Sequence, residues 1–413
     1  MDKPFIRPTL YPWLIWTLAS LFLFYKYFLE VSPSVMVPEL MRAFNLNGSE
    51  LGNLAAVYFY TYLLMQLPAG LLLDYLNPRR LIALAILLCA GGAIVFAEAP
   101  NETVAALSRL IIGIGAAFAA VGPMKLISDW FHPKHFALVA GLMIAFGILG
   151  AVGGQAPLSA AIARFGWRNT LLTDGIIGLG FAGLFYLTVQ NKSLTEPGPR
   201  LAFFEGLLAV ARQKQSWLIS VYSGLVFAPL SAFAGLWGIP YLMQLYQKNR
   251  TDIAALMSLV FIGFAIGSPL SGWLSGKIQA RKPLLFYAAL LPALCLSGII
   301  YLKMSLLLLG VLLGLFGLFT GFFFVSFAAI REINDQRSTA TAMGFINTFN
   351  ALGGALAIPI IGYLLDLGWQ GAVSDGVHVF SLLNYHCALL CLPLDLLLAL
   401  GLLWFIQETY QSN

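Results

Sequence analysis

Long apolar runs, each close to twenty residues, alternate with short polar interruptions along almost the whole chain. Read between charged residues and Pro/Gly breaks, they predict helices at 12–37, 50–74, 80–98, 103–127, 137–160 and 168–190. A second set follows at 216–240, 251–275, 283–302, 304–330, 338–365 and 380–407, and the twelve are numbered helix 1 to helix 12. Each is long enough, at about 1.5 Å rise per residue, to cross a hydrocarbon core of about 30 Å. Segment 191–215 is the one long polar connector, with Lys192, Glu196, Pro197, Pro199 and Arg200. Inside it, Leu201 to Arg212 alternates apolar and polar at helical spacing, which predicts a short interfacial helix. The expected organisation is a six-helix bundle over 1–190, a connector over 191–215 and a second six-helix bundle over 216–413.

The two halves repeat each other. Residues 70–80 read GLLLDYLNPRR and residues 272–282 read GWLSGKIQARK, an offset of 272 − 70 = 202. The same shift maps Pro38 onto Pro240, Ser49-Glu50 onto Thr251-Asp252, Pro157 onto Pro359, and Gly166-Trp167 onto Gly368-Trp369. Internal self-similarity of this kind marks structurally equivalent units. In so apolar a chain it points to a transporter with its site between the halves.

Composition agrees with the pattern. Of 413 residues, 60% are hydrophobic and 10% charged, against roughly 25% charged in soluble proteins. A polytopic all-α membrane protein follows, and a β-barrel is excluded because its strands alternate over short segments. The net charge of +5 does not imply nucleic acid, because the basic residues sit in short loops between spans. Arg79, Arg80, Lys134, Lys277, Arg281 and Lys282 share one face, with Lys3, Arg7, Lys192, Arg200 and Arg337. The positive-inside bias therefore places both termini and the connector in the cytoplasm. Cys89, Cys295, Cys387 and Cys391 read as small apolar residues without metal-site spacing, so no metal or cofactor is expected. The four histidines show no paired ligand spacing and there is no Walker-type phosphate loop. An enzyme is not expected, and energy must come from an ion gradient or from the solute's own.

Segment Gly70 to Arg80 resembles the loop signature between helices 2 and 3 of the major facilitator superfamily, Gly-x-Leu-x-Asp-Arg-x-Gly-Arg-Arg. Gly70, Leu72, Asp74, Arg79 and Arg80 match, whereas Tyr75, Asn77 and Pro78 depart from it. Arg109-Leu-Ile-Ile-Gly113-Ile-Gly115 is similar to the helix 4 motif of the same superfamily. The match covers the whole length, and stretches Tyr25–Leu40 and Tyr58–Gly70 are similar to bacterial nutrient permeases. The resemblance implies two pseudo-symmetric six-helix bundles, a monomer in a bacterial inner membrane, and a cavity lined by helices 1, 4, 7 and 10. It also implies that Asp74 latches the cytoplasmic side, with Gly70, Arg79, Arg80, Gly272, Lys277 and Arg281 as gating residues. The Gly-Pro pair that drug antiporters carry in helix 5 is absent from residues 147–157, and Gly122-Pro123 belongs to helix 4.

The chemistry of the candidate pore rests on Lys26, Glu30 and Arg109, charges well inside predicted spans. A charge at such depth is costly unless it is partnered or faces water, so it marks a functional site by default. Lys26 and Glu30 are four apart and share a helix face. Glu30 and Arg109 lie about 12 Å and about 9 Å below their helix ends, a match that allows a Glu30–Arg109 or a Glu30–Lys26 ion pair. The offset carries Lys26 and Glu30 onto Ala228 and Ala232, so only the first half holds these charges. Glu30 and Arg109 are the candidate proton-coupling residues, and Lys26 and Arg109 would hold an anionic or carboxylate-bearing solute. Tyr25, Tyr27, Tyr58, Tyr62, Gln66, Gln155, Tyr222, Asn347 and Asn350 are the polar and aromatic candidates around them. Asp174 is expected to pair with Arg168, while His386 and Asp395 lie in a peripheral helix 12. The expected function is alternating-access transport, as proton-coupled uptake of a small zwitterionic or carboxylate-bearing nutrient. The partners are that solute, protons and the lipid bilayer. Export by proton antiport is the second reading, and a non-transporting membrane receptor the third.

Overall fold

Asn, Ser and Pro set where the apolar runs begin to wind. In the computed structural model, which describes residues 10–190, 201–335, 338–374 and 376–410, side-chain oxygens of Asn47, Asn101, Asn249, Ser305 and Ser381 cap the helices that follow them. Lys3, Arg7, Lys192, Arg200 and Arg337 lie outside the described residues, as do the side chains of Asp74 and Lys134.

Helix 1 spans Tyr11–Val35, helix 3 Pro78–Glu98, helix 4 Glu102–Trp130, helix 5 Leu138–Phe165 and helix 6 Trp167–Thr188. Helix 7 spans Lys214–Tyr246, helix 8 Arg250–Ile278, helix 9 Lys282–Tyr301, helix 10 Leu306–Ile333, helix 11 Thr341–Leu367 and helix 12 Leu382–Leu402. These eleven are long and apolar enough to cross a membrane. Helix 2, Gly48–Tyr75, runs 28 residues between helices 4 and 11. The connector contains a helix at Leu201–Arg212, where helical spacing predicts one. Two features were not predicted: a short helix at Val37–Phe44, and an antiparallel ribbon pairing Val373 with His378 and Ser374 with Val377.

Helices 1 to 6 pack among themselves, through helix 3 on helices 4 and 6 and helix 1 on helix 5. Helices 7 to 12 do likewise, through helix 8 on helix 10, helix 7 on helix 11, and helix 12 on helices 7 and 9. The halves meet along helix 2 with helix 11, helix 5 with helix 8, and the ends of helices 1 and 7. We call the end bearing Tyr11 and Leu402 the terminal face and the opposite end, with the helix 1–2 connection, the far face.

The 202-residue repeat persists in backbone geometry. Asn45 and Gln247 both adopt the left-handed conformation, with φ of 53° and 51°. Two residues on, Asn47 and Asn249 cap helices 2 and 8, each accepting from the N–H three residues later. The equivalent ends of helices 1 and 7 both leave α geometry. Ser32–Val35 tightens to a 3₁₀ turn, and Leu230–Trp237 widens to a π-helix after Pro229. A break in the i→i−4 ladder frees backbone and re-aims side chains, and π segments often sit at functional sites. Helices 4 and 10 are also interrupted, near Ala117 and at Gly321–Phe324. Helix 5 breaks too, at Gly154-Gln155.

Candidate functional site

Between the halves lies a narrow cavity of about 30 Å³, bordered by Tyr27, Glu30 and Arg109 from the first half. The second half contributes Phe227, Ser231 and Gly235 of helix 7 and Phe261 and Phe264 of helix 8.

The charges are arranged unequally. Lys26 is 6% exposed and pairs with Glu30 one turn along the same helix. Its ammonium also lies 4.0 Å from the Tyr27 ring centroid and 5.0 Å from that of Tyr62, contacts that favour a cation. Tyr58 donates to the same carboxylate oxygen, Glu30 Oε2, at 3.1 Å. Glu30 is thus neutralised from behind, and its Oε1 takes part in neither contact. Arg109 is 2% exposed. It does not pair with Glu30; its Nη1 donates 3.0 Å to the carbonyl of Leu29, and its Cζ stands 5.0 Å from the Tyr58 ring centroid. Its Nε and Nη2 have no hydrogen-bond partner among the described residues. One buried guanidinium edge is therefore unsatisfied within the protein, with a net charge of +1 for the three groups.

The other candidates divide by position. Tyr58 and Tyr62 stack at 6.0 Å behind Glu30. Gln66 and Tyr62 both accept from Asn347 Nδ2, at 3.1 and 3.5 Å, which bridges helices 2 and 11. Gln155, fully buried, donates to Ser34 at 3.2 Å and to the carbonyl of Ala234 at 3.5 Å. It joins helix 5 to the irregular ends of helices 1 and 7. Three residues point elsewhere. The hydroxyl of Tyr25 packs against Gly178 of helix 6. Tyr222 donates to the Leu285 carbonyl in helix 9. Asn350 accepts from Ser223 at 2.7 Å inside the second half. Of the nine polar and aromatic candidates only Tyr27 borders the cavity; Tyr58, Tyr62, Gln66, Gln155 and Asn347 do not line it, nor do these three, and nor does Lys26. Asp174 is not the partner of Arg168, whose guanidinium serves the carbonyls of Ala97 and Ala99 at 2.6 and 3.0 Å. These carbonyls end helix 3 and lack helical donors, so a nearby guanidinium satisfies them. His386 packs on Tyr241 and Tyr301 away from the cavity, and Asp395 does not border it either. Cys387 is exposed on the bundle surface rather than buried.

Of the expected gating residues, Gly70 and Gly272 have open space where a Cβ would stand. Arg79 donates 2.6 Å to the Tyr186 carbonyl and lies over its ring, while Arg80 is exposed. Lys277 lies over Trp273. Arg281 is the hub of a terminal-face cluster: it grips Glu332 at 2.6 Å and donates to Ser275 at 2.6 Å. Glu408 accepts from the N–H groups of Arg281 and Lys282 at 2.8 and 2.9 Å, capping helix 9.

Polar contacts seal the far face between the halves. Asp366, at the end of helix 11, accepts from the N–H of Gly48 at 2.8 Å and of Ser49 at 2.6 Å, the exposed donors of helix 2. Glu39 pairs with Arg250, and Ser159 meets Thr251 at 3.1 Å. Gly48 and Gly362 allow this approach, since a Cβ on Gly362 would collide with the Gly48 carbonyl. Sequence reading missed Glu39, Arg250, Asp366, Glu332 and Glu408, because charges near helix ends look like ordinary solvated residues.

A family model described as Major Facilitator Superfamily matches residues 16–250 and 228–408. The chain is 26% identical over 282 residues to a probable L-galactonate transporter of Escherichia coli, covering 63% of this chain. The match spans 62% of that relative's length, under two thirds. It is 23% identical, across 90% of each chain, to the membrane sensor protein UhpC of Salmonella typhimurium. In fold it is similar to a bacterial homologue of the human lysosomal transporter Spinster in an inward-facing, unoccupied conformation. That likeness has a TM-score of 0.78, 16% identity and 98% coverage of both chains.

Proposed function

The chain belongs to the Major Facilitator Superfamily, and from that premise we propose that it performs proton-coupled uptake of a small carboxylate-bearing or zwitterionic solute. The far face is the exterior and the terminal face the cytoplasm, in keeping with the loop lysines and arginines. The observation that carries the reading is the buried Arg109 edge. Nε and Nη2 have no described partner, beside a Lys26–Glu30 pair that already neutralises itself. A guanidinium presents two parallel N–H donors that fit a carboxylate, and such charge-assisted pairs are stronger than neutral hydrogen bonds. Glu30 also borders the cavity, and its Oε1, outside the contacts to Lys26 and Tyr58, suits an ammonium group or a transported proton. That a relative is named for L-galactonate, itself a carboxylate, supports the same head-group chemistry.

The test is transport in proteoliposomes with an imposed proton gradient and a panel of labelled amino acids and organic carboxylates. Accumulation of a carboxylate-bearing solute against its gradient is expected. Flux that ignores the proton gradient would remove the coupling. No carboxylate flux in either direction would instead favour the sensor-like alternative that UhpC suggests.

A further inference from the structure

The cavity is polar on one side only. Arg109, Glu30 and Tyr27 stand on the first half, whereas the facing wall is built from Phe227, Phe261 and Phe264 with Leu230. Phe59 and Ile358 extend that apolar surface. Ser231, whose hydroxyl has no described partner, is the polar exception there. The wall is held in place from behind. Phe323 lies 5.3 Å from Phe227 and 5.8 Å from Phe264, and it packs on Phe324 at 4.6 Å. Rings fixed in this way present a preformed apolar surface rather than one that must reorder on binding.

Gly235 lies in the π-helical stretch of helix 7 and borders the cavity. A Cβ placed there would meet nothing within 4 Å. Most other inter-helix glycines in the chain permit a close backbone approach; at Gly235 the missing side chain leaves room beside the phenyl wall.

We propose that the transported solute is an α-amino acid with a large apolar side chain, its carboxylate on Arg109 and its side chain against the phenyl wall, with Gly235 setting the size limit. This rests on the reading of the same site as carboxylate-binding. The ammonium group falls to Glu30 Oε1, so both charges of the zwitterion meet an opposite charge. Burying a leucine-sized or phenyl side chain favours it over a hydroxymethyl group by roughly ten- to a hundredfold. A polyhydroxylated carboxylate is disfavoured for the complementary reason. Its hydroxyls would be buried against phenyl rings without partners, which a site rejects strongly.

The test compares counterflow of phenylalanine, leucine, alanine, serine and gluconate by the whole chain in proteoliposomes. Phenylalanine and leucine should exceed serine and gluconate by about tenfold or more in efficiency. Gly235→Leu should lower phenylalanine counterflow by about tenfold and alanine counterflow by less than about twofold. Phe227→Ala should likewise cost phenylalanine more than alanine, which keeps the wall testable if the Gly235 variant misfolds. Serine or gluconate carried as well as phenylalanine, still dependent on Arg109, would overturn the apolar preference and leave carboxylate binding intact. Absence of all carboxylate counterflow by the wild type would overturn both.

Discussion

Arg109 and Glu30 have different surroundings, and that difference predicts different losses. Arg109 borders the cavity and has two buried guanidinium nitrogens without a described partner, whereas Glu30 is held by Lys26 and Tyr58. Arg109→Gln removes a charge-assisted contact of about 1.5–3 kcal/mol, so KM for the solute should rise about ten- to a hundredfold. Arg109→Lys should recover only part of this, because an ammonium cannot present the paired donors. Glu30→Gln should abolish accumulation driven by a proton gradient while exchange between the two sides, read as counterflow, persists at a raised KM because the ammonium loses its carboxylate; proton-driven accumulation by that variant would remove Glu30 from coupling. It should also lower thermal stability, since Lys26 would keep a buried charge without its carboxylate. The double change Lys26→Met/Glu30→Gln should restore stability but not coupling. Lys26, Glu30 and Arg109 were legible in sequence because charges are rare in apolar helices. The placement of Tyr25 and Tyr222 was not legible. Helical spacing says which residues share a face, but it does not say whether that face meets the cavity or, as here, helices 6 and 9.

The elements show what a repeat preserves. Caps at Asn47 and Asn249 and left-handed residues at Asn45 and Gln247 recur because each ends or begins the same turn. The 3₁₀ turn and the π segment at the ends of helices 1 and 7 occupy equivalent positions, yet their hydrogen bonding differs, so the repeat alone could not foretell it. Glu408 is an element-scale device on the terminal face. Slight burial pushes its carboxyl up, but the N–H groups of Lys282, Tyr410, Arg281 and Thr409 outweigh that and hold it below the usual range. A carboxyl depressed in the folded state stabilises above its unfolded pKa, and that contribution is lost as pH falls through the folded value. Docking of the C-terminal tail on the first turn of helix 9 should therefore weaken as pH drops below about 4.5. Hydrogen-exchange protection of Lys282 and Tyr410 amides would show this. Glu408→Gln should give low protection at every pH, and an unchanged acid-dependent loss in that variant would assign the effect to another group.

At the scale of the whole molecule, helices 2 and 11 run antiparallel between the halves, and each carries an aspartate in its last turn. At the far face Asp366 holds the N-terminal N–H groups of helix 2, aided by Glu39–Arg250. At the terminal face Asp74 lies in the last turn of helix 2. Because the family resemblance implies a cytoplasmic latch at Asp74, neutralising the two aspartates should shift the molecule in opposite directions. A carboxylate–helix-end contact such as that of Asp366 contributes on the order of 1–2 kcal/mol, enough to move a two-state ratio by about tenfold. The shift can be read with Ser231→Cys, a cavity residue, in a background where Cys387 and Cys391 are replaced, since these are the cysteines not fully buried. An impermeant thiol reagent supplied at the far face should label Cys at 231 about tenfold faster in Asp366→Asn. The same reagent should label it more slowly in Asp74→Asn than in the parent. Acceleration by both substitutions would mean that they merely loosen the bundle. Acceleration by the first and slowing by the second requires a rigid exchange of one sealed face for the other. That is the motion a cavity between two repeated halves needs in order to move a solute without ever opening both ends.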